Sequence, residues 1–186
     1  MSSASSTPSG TIRVWDPLVR IFHWGLAGSF ALAYVTAEDI RDVHEVAGYV
    51  AGALIASRIV MGFAGSPYAR FRQFVRSPAH VVSYVGSMIR RRDPRYIGHN
   101  PLGGLMVMAL ILAMAGVALT GWLQTTDAYW GVEWVEETHE ALANMMLAAV
   151  ALHLFGVLFE SIRHHENLVG AMISGRKRAP RPGDVL

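Results

Sequence analysis

The sequence predicts an all-α integral membrane fold: a four-helix transmembrane bundle with a surface amphipathic helix in the 2–3 link. Three observations predict it. The 186 residues are 52% hydrophobic and only 16% charged, where ordinary soluble domains are about 25% charged. Mean hydropathy is positive, at +0.31. Four apolar runs each approach the roughly 20 residues that a helix needs to cross a bilayer.

In chain order, the opening MSSASSTPSG is Ser-rich and lacks the apolar stretch of a signal peptide. A disordered leader is expected over residues 1–12, then a membrane domain over 13–175 and a basic tail over 176–186. The first run spans Pro17 to Ala37, and its proline suits a first helical turn, where a missing N–H costs nothing. The second spans Val43 to Phe63, the third Leu102 to Leu123 behind Pro101, and the fourth Glu136 to Phe159. The short TAEDIRD link makes helices one and two antiparallel neighbours. Between helices three and four, Tyr129, Trp130 and Trp134 are candidate interface anchors. In the 2–3 link, Ser77–Arg92 opens on a Ser-Pro helix start. It repeats Val81, Val82, Val85, Met88 and Ile89 at helical spacing, as an amphipathic helix on a lipid surface would.

Charge predicts orientation. Of sixteen Lys and Arg, all but Arg41 and Arg58 fall in the N-terminal segment, the 2–3 link and the C-terminal tail. The other two links carry Glu38, Asp39, Asp42, Asp127, Glu133 and Glu136. The positive-inside rule then puts both termini in the cytoplasm and the acidic links outside, in the periplasm of a Gram-negative bacterium. With no cysteine, this chain has no disulfide, iron–sulfur ligand or covalent c-type haem attachment. No nucleophile–base pair of a soluble enzyme stands out, and nothing points to nucleic acid.

Histidines carry the chemistry. His139 and His153 are fourteen residues apart in the fourth run. They look the same way within about 40° and sit roughly 21 Å apart along the axis. His23 opens helix one and His44 opens helix two, at opposite depths. Depth pairs His23 with His153 and His44 with His139. Two imidazoles without a carboxylate suit neither Mg²⁺ nor Ca²⁺, and are too few for structural zinc. They are the axial set of a six-coordinate b-type haem. Small residues beside them at helical spacing (Gly48, Gly52 and Ala56; Ala27 and Ala31; Ala149 and Gly156) leave room for a flat ring. A lone membrane histidine is more often a packing residue, and such small residues more often ordinary helix contacts. Two depth-matched pairs favour two haems.

Arg58 lies fourteen residues after His44, at the depth of the cytoplasmic pair. Two readings stand: it neutralises a haem propionate, or it snorkels to the headgroups. His80, His164 and His165 read as solvated. His99, in RYIGHNPLGG, is a place where a quinone head group could be met.

VWDPLVRIFHW, VHEVAGYV leading to RIVMGFAGS, RYIGHNPLGG, and the His139/His153 pair followed by HENLVGAMISGRKR closely resemble the bacterial cytochrome b561 family. That family includes the b-type cytochrome subunits of membrane-bound nickel–iron hydrogenases. The resemblance runs from about Thr11 to Arg178. It implies two haems b, with His23, His44, His139 and His153 as ligands and none from helix three. It further implies a respiratory electron-transfer subunit of the bacterial inner membrane, passing electrons between the quinone pool and a periplasmic c-type cytochrome or hydrogenase. Some members act alone on quinone and superoxide, so a self-contained oxidoreductase is the alternative. A His-lined metal or proton transporter and a structural membrane anchor are the rivals from other classes.

Overall fold

The computed structural model describes residues 10–185. Four long helices dominate: α1 (Pro17–Thr36), α2 (Arg41–Ala64), α5 (Pro101–Gln124) and α6 (Glu133–Arg163). Between α2 and α5 lie the short α3 (Phe71–Phe74) and the surface helix α4 (Pro78–Ile89). A ribbon of β1 (Thr11–Arg13) and β2 (Arg176–Arg178), with α7 (Leu168–Ser174) leading into β2, joins the two ends of the chain.

Local chemistry sets the helix starts. Asp16 caps α1 by accepting from Val19 N at 2.9 Å, with Pro17 in the first turn. Asn100 caps α5 by accepting from Gly103 N at 2.6 Å, ahead of Pro101. Ser77 and Pro78 open α4 in the same way. All four runs expected from sequence are helices and agree in their bounds to about a turn. All four are long and apolar enough to cross a membrane. At 31 residues, α6 rises about 46 Å, more than a hydrocarbon core of about 30 Å requires.

The long helices pack in series, α1 on α2, α2 on α5 and α5 on α6. Their shared core is Phe30, Ala51, Ile55, Ile111, Met114, Val117 and Met146. Leu112, Leu119, Leu154, Phe155 and Leu158 point outward with no protein cover. In water such a belt would be an aggregation surface; in lipid it is solvated. Among the long helices α6 packs closely only on α5, and it faces α1 and α2 through side chains, such as the Tyr34 hydroxyl on Asn144 Oδ1 at 3.1 Å.

The two ends of the bundle differ. At the acidic end Trp130 and Trp134 are exposed, and Arg41 lies 4.4 Å from the Trp130 ring while its Nε donates to Glu45 at 2.7 Å. At the basic end the chain folds back on itself, which the expected leader and tail boundaries do not describe. Residues 1–9 of that leader lie outside the described residues. Thr11 and Ile12, assigned to it, pair with Arg178 and Lys177 of the expected tail. Val185 bonds to Arg95 O and Ile97 N, each at 2.9 Å. The cause is a buried ion network: Arg95 reaches Glu166 and Asp184, each at 2.5 Å, and Lys177 reaches Glu166 at 3.2 Å. Burial tends to raise Glu166, but the Arg95 and Lys177 cations hold its carboxyl below the usual range. α4 lies across this end with Tyr84 buried and Val82 and Ile89 exposed.

Candidate functional site

The structure brings the four membrane histidines together in two pairs. His23 of α1 and His153 of α6 have ring centroids 6.5 Å apart, with planes at 53°. His44 of α2 and His139 of α6 are 6.1 Å apart at 84°. Each pair spans the side of the bundle where α6 faces α1 and α2 without close backbone packing. The first pair lies toward the basic end and the second toward the acidic end. The core residues Phe30, Ala51 and Met146 separate them along the bundle.

The second pair is anchored from behind. His44 Nδ1 lies 2.8 Å from Ala33 O. His139 Nδ1 lies 3.1 Å from Val117 O and 3.1 Å from Thr120 Oγ1. A carbonyl facing Nδ1 fixes the proton there, which leaves Nε2 with its lone pair. Gly121 makes this possible, since a Cβ at that position would sit 3.0 Å from His139 Cε1. Thus α5 supplies no histidine but holds one in place. In the first pair, His23 Nδ1 is buried without a partner.

Arg58 is 4% exposed, so it does not snorkel to a surface. Its guanidinium carbon lies 5.4 Å from the Phe71 ring and 5.9 Å from the rings of Phe22 and Phe74. Its Nη1 has no hydrogen-bond partner. His99 packs between Trp15 and Phe74, each 4.9 Å away between ring centroids. Both aromatics lie tilted to its ring, at 52° and 55°. Burial, and then the Arg58 and Lys177 cations, push the His99 imidazole down to about 3. Of the histidines read as solvated, His80 and His165 are exposed. His164 instead lies 3.2 Å from Asp93 Oδ2 and 3.3 Å from Glu160 Oε2. Asp93 also accepts from Arg163, which holds its carboxyl below the usual range.

This donor set can be tested against a metal group. No cluster of three or more His, Cys, Asp or Glu suited to a metal ion occurs among the described residues. Each pair offers two imidazoles and nothing else. Bonds of about 2.0–2.1 Å from one metal to two opposed imidazole nitrogens put the ring centroids roughly 6 Å apart. Both pairs have that spacing, and both open on a helix gap. The residues fit a haem iron with two axial histidines.

An all-α membrane bundle with facing histidines across a helix gap has the form of a multi-pass membrane cytochrome of the b type. The comparisons carry this to a family. The model of the prokaryotic cytochrome b561 family matches residues 14–175, and this chain belongs to that family. Curated relatives carry the name "Probable Ni/Fe-hydrogenase B-type cytochrome subunit". The one from Bradyrhizobium diazoefficiens is 24% identical, over 90% of this chain and 86% of the relative. That from Rhizobium leguminosarum bv. viciae is 22% identical, over 90% and 89%. That from Azotobacter vinelandii is 23% identical, over 88% and 87%. No solved structure matches. The chain is thus a multi-pass membrane protein of electron transport that carries haem b.

Proposed function

We propose that this chain is a transmembrane conduit holding two haems b, one between His23 and His153 and one between His44 and His139. Haem iron supplies one-electron transfer; the chain supplies axial ligation, burial and nearby charge, which set its potential. The single observation that carries the reading is the pair of facing-histidine sites fourteen residues apart along α6, with ring centroids 6.5 and 6.1 Å apart. Fourteen residues of α6 separate His139 from His153, roughly 21 Å of helix. That distance carries charge most of the way across a bilayer core of about 30 Å. Arg58 is the cation beside the first pair.

The basic end faces the cytoplasm of a bacterial inner membrane and the acidic end the periplasm, by the positive-inside rule. The electron exchange is between the quinone pool and a periplasmic redox protein. The names of the relatives support a nickel–iron hydrogenase as that protein; a c-type cytochrome has the same requirements. The acidic links would steer a basic patch on either partner.

Proteoliposomes test this. With quinone in the lipid and a co-expressed hydrogenase on the acidic side, hydrogen should reduce the chromophores and then the quinone. Without the partner, hydrogen should do nothing. If the purified chain alone exchanges electrons rapidly between quinone and superoxide, it is a self-contained oxidoreductase instead. A colourless protein that moves metal ions or protons would contradict both.

A further inference from the structure

Two buried hydrogen-bonding groups near the His23–His153 pair have no partner among the described residues. Arg58 Nη1 is one and His99 Nδ1 the other. They share a wall: the Phe74 ring is 5.9 Å from the Arg58 guanidinium and 4.9 Å from the His99 ring. Phe22, next in sequence to His23, is also 5.9 Å from that guanidinium. A guanidinium cannot shed its proton, so burial without an anion is costly. The aromatic faces around it recover only part of that cost. Asp16 acts on it only through space: no hydrogen bond or ion pair joins the two, and the Asp16 oxygens accept from Val19 N and the Ser66 hydroxyl.

The missing group is defined by what faces it. The Arg58 fork is a donor, and so is His99 Nδ1 in the tautomer that carries its proton there, so the ligand is an anion with at least two acceptor oxygens. The site is walled by aromatic rings, so that anion arrives on an apolar body. We propose that Arg58 and His99 form a carboxylate cradle beside the His23–His153 pair, and that the carboxylate is a propionate of the porphyrin this pair holds. The inference rests on the haem reading above and adds His99 to it as a donor. His99 acts here as a neutral N–H donor. The cradle also gives this site a preference for porphyrins that carry free acid groups.

Haem-free full-length chain with His44→Ala and His139→Ala keeps one pair and allows a direct test. It is loaded in detergent with protohaem or with its dimethyl ester, which keeps the iron and ring but has no carboxylate. The free acid should be held roughly tenfold more tightly, as expected of a charge-assisted bidentate contact. Arg58→Met should abolish the preference, His99→Phe should weaken it, and Arg58→Lys should keep part of it. The unaltered chain provides a second measurement, in which the ester should fill one site normally and the other weakly. Equal binding of acid and ester, or a preference unchanged by Arg58→Met, would overturn the cradle while leaving the haem reading intact. Failure of the unaltered chain to bind either compound would overturn both.

Discussion

The imidazoles of His44 and His139 face each other 6.1 Å apart between centroids, and each has Nδ1 turned to a backbone carbonyl, at 2.8 Å for His44 and 3.1 Å for His139. In both rings this leaves Nε2 as the nitrogen free to take a metal. Backbone carbonyls hold both rings, joined at His139 by the Thr120 hydroxyl at 3.1 Å, so the pair should resist substitution at most neighbouring positions.

Gly121 is an exception. A Cβ there would lie 3.0 Å from His139 Cε1 and 3.4 Å from its Nδ1. Gly121→Val should push the ring off its carbonyl, an overpacking cost of about 1–3 kcal/mol. The expected result is loss of one chromophore and retention of the other, read as haem per chain. Retention of both would mean that the ring tolerates displacement.

Arg58 should act on potential. A buried cation favours the reduced iron, which carries less positive charge. Arg58→Met should lower the midpoint potential of one haem by about 60 mV or more, a tenfold shift in a one-electron equilibrium. The other haem should be unmoved. Spectroelectrochemical titration checks this, and Arg58→Lys should fall between the two.

Glu166 is the shared anion of the basic end, with Arg95 Nη2 at 2.5 Å and Lys177 Nζ at 3.2 Å. Glu166→Gln leaves buried cations short of charge, a loss of about 3–5 kcal/mol by analogy with broken buried pairs. Residues 176–185 should then become sensitive to protease. Haem content should change little, because none of the four paired histidines touches this network.

The carboxylates of the basic end predict an acid limit. Asp93 is held low by Arg163. Burial would raise Asp184, but the Arg181 backbone N–H and Arg95 outweigh it. Glu166 is also depressed. For carboxyls with a lowered folded pKa, the unfolded chain binds protons first. Their stabilisation is full above the unfolded value of about 4 and is lost as pH falls through the folded value. Backbone hydrogen exchange over residues 176–185, taken relative to the intrinsic rate at each pH, should be flat from pH 8 to pH 5 and rise below about pH 4. A rise between pH 7 and pH 5 would assign the control to a histidine.

The long helices were legible because length and apolar composition decide them without tertiary help. The pairing of His23 with His153 and His44 with His139 was legible because a bilayer fixes depth, and depth follows from counting residues along a helix. What lay beyond the sequence depends on contacts between distant segments. Nothing local announces that Ala33 O and Val117 O will face imidazoles, or that Gly121 will make room for one. The fold of the basic end is hidden in the sequence for a related reason. Lys177 and Arg178 look like a solvated tail until Glu166, Asp184 and Arg95 are seen around them. Sequence leaves Arg58 between a haem propionate and the headgroups because its surroundings, Phe71 and Phe74, come from a short helix that has no periodic signal.

The most direct measurement is haem content per chain by pyridine haemochrome in the unaltered protein and in His153→Ala and His139→Ala. Two haems in the first and one in each variant is the predicted result. A chain that binds no haem, or a His153→Ala variant that keeps both, contradicts it.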